Sequence, residues 1–105
     1  MKTNEIEIIE DIKGRRLAEV IRSEQKVDKT TFFSDPSSSF QFGFVAHKKG
    51  YEEEMHYHKE IEKKIFQVSQ VLFVQRGTVV VDFYNDDKTK ITDISLKKGD
   101  AVNII

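Results

Sequence analysis

Ser69–Asp87 reads SQVLFVQRGTVVVDFYNDD, two β-rich runs on either side of Gly77 followed by a turn-forming Asn-Asp-Asp. In TVVVDFY, Val79, Val81 and Phe83 share one parity while Val80, Asp82 and Tyr84 share the other. A strand sends alternate side chains to opposite faces, so the first set can face a core and the second can face solvent. Gly77 predicts a tight hairpin turn that joins two antiparallel partners.

The same period of two continues outward. KITDISL, Lys90–Leu96, alternates; KKGD turns; AVNII, Ala101–Ile105, begins a further strand. Upstream, FQFGFVAH places Phe40, Phe42 and Phe44 on one face. SDPSSS, Ser34–Ser39, holds the chain's single proline and reads as a loop between two elements. RLAEVIR, Arg16–Arg22, fits a strand or a short helix, with strand preferred, and EIEII near the start alternates weakly. Short strands separated by turns predict an all-β fold, a sandwich or a barrel.

Composition narrows the function classes. At 105 residues the chain has room for a single domain. Seventeen basic residues stand against eighteen acidic ones, which gives no global attraction to nucleic acid or to anionic lipid. No cysteine is present, so disulfides, thiolate zinc sites and a cysteine nucleophile are excluded. No apolar run reaches the ~20 residues that span a bilayer, and the N-terminus lacks a signal peptide's apolar stretch. A soluble cytoplasmic protein is the expectation.

Two of the three histidines lie in GYEEEMHYHKE, Gly50–Glu60. On a strand, His56 and His58 project to the same side and can share one divalent cation, with Met55 and Tyr57 opposite. On a helix the same spacing splays them by about 200° and prevents sharing. EEEMHYHKEIEKK also fits a charged helix with Glu-to-Lys pairs, and two surface histidines on an edge strand need no function. Glu54 shares the histidines' parity and can lie at the mouth of a pocket, whereas His47 reads as a loop residue. Ser37, Ser38 and Ser39 have no histidine and acid arranged near them in sequence and read as loop. No phosphate-binding glycine loop follows Gly14.

Gly50, five residues, and His56-x-His58 resemble the first signature of the cupin superfamily, and GDAVNII, Gly99–Ile105, is similar to the opening of the second. The ordered set LAEVIR, FQFGFVAHKKG, HYH, SQVLFVQRGTVVVDFYNDD and LKKGDAVNII resembles small single-domain bacterial cupins associated with surface-polysaccharide or modified-sugar biosynthesis. The resemblance implies a cupin-type antiparallel β-barrel, a jelly roll, over residues 1–105, with N-terminal strands in 1–35, the barrel in 40–105, and the C-terminal closure incomplete. It implies a divalent metal (Mn, Fe, Ni or Zn) held by two histidines, a glutamate and a later histidine. Here Gln70 occupies the glutamate position, seven before Gly77, and the chain ends at Ile105 before a further histidine. The implied ligands are therefore His56, His58 and Gln70. Gln70 either ligates as a weaker neutral donor or hydrogen-bonds an imidazole inside the barrel.

The expected ligand is a sugar or sugar nucleotide. Its handling is either metal-dependent chemistry of the isomerase or epimerase type, with catalytic residues unassigned, or non-catalytic binding by a degenerate site. An unclosed sheet leaves strand edges open, so a homodimer is expected, through exchanged N-terminal strands or sheet pairing. Neither nucleic acid nor membrane is an expected partner.

Overall fold

The computed structural model describes residues 7–105; residues 1–6, and with them the first part of the EIEII run and of the expected N-terminal strands, lie outside the described residues. Among the described residues every regular element is a strand: β1 Glu7–Glu10, β2 Arg16–Ile21, β3 Thr31–Phe32, β4 Gly43–Phe44, β5 Gln70–Phe73, β6 Thr78–Tyr84, β7 Lys90–Lys97 and β8 Ala101–Ile104. All pairings are antiparallel. The chain is all-β, and among the described residues no helix is long and apolar enough to cross a membrane. The sheets are β1-β2-β8-β5, β3-β4 and β6-β7, and none closes into a barrel. Closure fails for a local reason. The stretch from Val45 to Ser69 joins no strand ladder among the described residues, and β5 has a neighbour on one side only.

The chain divides into two compact units, one of residues 27–67 and one built from the flanking segments. In the flanking unit, Ala18 and Val20 of β2, Val102 of β8, Val74, Phe83 of β6, and Ile94 and Leu96 of β7 form the buried core. The expected parity of β6 holds over its second half only, since Val79, expected to face the core, is exposed. Phe83 is buried and Val81 packs against the core, while Val80 and Tyr84 face outward. Each fully buried Val, Leu or Phe here contributes ~1.5–3 kcal/mol relative to an exposed one.

Gly77 does turn the chain, at φ +83°, but it does not join a hairpin. β5 pairs with β8 and β6 with β7, so the turn carries the chain from one sheet to another. The Val74 N–H donates to the Asp100 carbonyl and the Val74 carbonyl accepts from the Gly99 N–H, both at 2.9 Å. Those two bonds commit the inner side of β5 to β8 and leave β6 free to fold back on β7.

The Gly-Asp turn before β8 is tied to distant segments of this unit. Asp100 is wholly buried. Its carboxylate accepts from the Ser23 N–H at 2.9 Å and the Lys97 N–H at 2.8 Å, and Arg22 pairs with it at 3.4 Å. Arg22 reaches on to Glu7 of β1 at 2.9 Å, so one guanidinium links three segments distant in sequence. Gly99 adopts φ +90°, and a Cβ there would stand 2.7 Å from the Ser23 Cβ. Strain and collision act together, so Gly99→Ala is expected to cost about 2–3 kcal/mol, read as a lowered urea midpoint with an unchanged slope.

In the unit of residues 27–67, the short ladder β3–β4 is backed by aromatic packing. Phe33 is buried, and its ring meets those of Phe42 and Phe44 at 5.7 and 6.0 Å. Phe42 and Phe44 thus share a face as their spacing predicts, whereas Phe40 is exposed. The SDPSSS segment is a loop. Asp35 closes it by accepting from the Ser37 N–H at 2.9 Å and the Ser37 hydroxyl at 2.7 Å, which gives Ser37 a structural role.

Candidate metal site

Residues 51–69 carry no strand or helix, so His56 and His58 are not held by a ladder as the sequence pattern predicts. The reason is visible in the side chains between them. Met55 and Tyr57, which would be the buried face of such a strand, are 94% and 81% exposed. Among the described residues no partner covers these apolar side chains, so no burial offsets the entropy of fixing the segment in a sheet.

The two imidazoles nonetheless lie side by side, with ring centroids 5.6 Å apart and planes inclined at 35°. A metal at ~2.1 Å from an imidazole nitrogen sits about 3 Å from the ring centre, so two rings on one tetrahedral ion stand about 5 Å apart. The observed spacing is close to that value. The His56 Nδ1–H donates to the Glu54 carbonyl at 3.0 Å. A carbonyl can only accept, so that bond fixes the proton on Nδ1 and leaves Nε2 with its lone pair free to ligate. The Glu53 carboxylate lies 3.8 Å from the same Nδ1. It belongs to a run of exposed acidic residues, Glu52–Glu54, that draws cations toward the pair.

Both histidines belong to the unit of residues 27–67, while Gln70 opens β5 in the other unit and is exposed. On β5, Gln70 has the parity of Leu72, as read from the sequence. The structure therefore brings together His56 and His58 and gives His56 a backbone orienting bond. Among the described residues, no group of three or more His, Asp or Glu is arranged around a common point. The His47 ring stacks on Tyr51 at 4.1 Å across the Lys48–Gly50 turn.

No protein-family model, no curated protein and no solved structure matches this chain. Function has to be read from the geometry.

One polar cluster escapes the sequence pattern. Glu19, in the middle of LAEVI, is wholly buried. It accepts from Arg16 at 2.7 Å and from the Asn103 side-chain amide at 3.0 Å, its cross-strand neighbour on β8. The Asn103 Oδ1 is buried without a hydrogen-bond partner. A charged residue within an alternating strand reads as solvent-facing, and only the pairing of β2 with β8 shows otherwise. The one available signal is Asn103 itself, a polar residue inside the apolar run AVNII.

Proposed function

We propose that this chain is a cupin-type domain that holds a divalent cation at His56 and His58 and uses it to bind a small polar ligand of the sugar or sugar-nucleotide class. The observation that carries the reading is the spacing of the two imidazoles, with the His56 tautomer fixed for ligation through Nε2. The all-antiparallel architecture and the bonded Gly-Asp turn support it, because both accord with the motif order that the sequence shares with cupins.

In this reading His56 and His58 supply nitrogen ligands, and Glu52–Glu54 raise the local cation concentration. When bound, the metal supplies Lewis acidity toward a hydroxyl or carbonyl oxygen of the ligand. For isomerisation or epimerisation, an imidazole free of metal is the side chain suited to moving a proton near neutral pH. Elemental analysis of protein purified without added metal is expected to find close to one equivalent of Mn, Fe, Ni or Zn. Less than about a tenth of an equivalent overturns the metal reading.

A second reading, a binding module that performs no turnover, is favoured by Gln70, a neutral donor where a carboxylate is expected. Gln70→Glu distinguishes the two. Restoring the negative charge is expected to tighten divalent-cation binding at least about tenfold if Gln70 stands at the site. A steep gain from a nearly empty natural protein favours the binding module; full occupancy before the substitution favours the metal-dependent domain.

A further inference from the structure

We propose that the outer edge of β5 is a pairing surface for a second copy of this chain, joined strand to strand about a two-fold axis near Leu72. The inference stands apart from any bound metal, and it begins with which backbone groups are free. The Val74 N–H donates to Asp100 on the β8 side. Alternation along an antiparallel ladder then turns the backbone groups of Leu72 and Gln70 toward β8 and those of Val71 and Phe73 outward. Among the described residues no strand pairs with that outward side.

The two edges of the four-stranded sheet differ in kind. β1 carries Glu7 and Glu10 at its ends, and its register is irregular between Ile9 and Glu10. Charge and bulge are the devices that keep an edge from pairing. β5, Gln-Val-Leu-Phe, has no charge, no proline, no glycine and no bulge. Its apolar side chains are also open, Val71 at 45%, Leu72 at 37% and Phe73 at 65% exposed. An unblunted apolar edge calls for a strand, because only a strand satisfies its backbone groups and covers its side chains together.

Symmetry selects the occupant. An uncharged strand meets its own copy without like-charge repulsion, whereas β1 against itself would set glutamates opposite each other. Pairing β5 with β1 of another copy would leave one edge of each molecule open and would propagate without closing. Pairing β5 with β5 about a two-fold closes at two chains. It places Leu72 opposite Leu72 and Val71 opposite the second copy's Phe73, a favourable β-branched and aromatic pair. The eight strands of the two four-stranded sheets then form one continuous sheet. This locates self-association at β5 and not at the N-terminal strands.

Sedimentation equilibrium of the full chain, from dilute solution up to roughly 200 µM, tests the proposal. The mass is expected to rise from one chain to two and to stop there. Val71→Pro removes an outward N–H while leaving the β8 ladder intact, and is expected to stay at one chain with an unchanged far-ultraviolet circular dichroism spectrum. Val71→Lys keeps every backbone group but puts like charges across the axis, and is also expected to abolish the dimer, so it decides the matter if the proline variant unfolds. A natural protein that remains at one chain throughout, a Val71→Lys variant that dimerises like the natural protein, or growth beyond two chains would each overturn the proposal.

Discussion

Asp100→Ala is expected to lower the free energy of unfolding by about 3 kcal/mol. The carboxylate is wholly buried and accepts from the Ser23 and Lys97 amides while pairing with Arg22. Truncation strands two backbone donors and leaves Arg22 without its link to the turn. Asp100→Asn tests the charge separately. It keeps the shape but replaces one acceptor by a donor, which then faces an amide N–H, so it is expected to recover only part of the loss.

The same residue sets an acid limit. Burial opposes the charged form of Asp100, but the Lys97 and Ser23 amides and the Arg22 guanidinium outweigh it, and the pKa is lowered. A carboxyl group depressed in the folded state contributes its full stability above its unfolded pKa of about 3.9 and loses it as pH falls through the folded value. Unfolding free energy is therefore expected to fall between about pH 4 and the lower folded-state pKa. The slope should flatten in Asp100→Asn. Asp11 contributes in the same direction: the Arg15 amide bonds to its carboxylate, burial opposes, and the net pKa is lowered.

His56→Ala and His58→Ala are expected to weaken divalent-cation binding by more than about 100-fold each, since loss of outer-shell partners alone costs 10- to 100-fold. Neither ring supports the fold, because both lie in the exposed segment without strand pairing. The melting temperature of the metal-free protein should accordingly be unchanged in both variants, separating loss of ligation from loss of structure. A change at Glu54 should do little, because the contact to His56 is made by its backbone carbonyl.

Local residue patterns account for most of the strands, and long-range pairing does not follow from them. TVVVDFY, KITDISL and AVNII are strands, RLAEVI resolves to a strand, and SDPSSS is a loop, each as its own residues predict. Gly77 shows where local reasoning stops. Its positive φ is a local property and was legible, but the partner of β5 is fixed by Val74 bonding to Asp100, twenty-six residues on. Glu19 shows the same limit for burial, since its partner Asn103 lies on a distant strand. At the candidate site, the pairing of His56 with His58 was legible from their spacing. The ladder expected to hold them does not form, because Met55 and Tyr57, the apolar face of that alternation, stay exposed and alternation without burial does not drive strand pairing.

The most direct test is a calorimetric titration of metal-free protein with zinc, repeated on the His56→Ala, His58→Ala double variant. One ion per chain with an enthalpy that vanishes in the double variant is the predicted result. Equal binding by the natural protein and the double variant, or no binding by either, would contradict a shared cation at these two imidazoles.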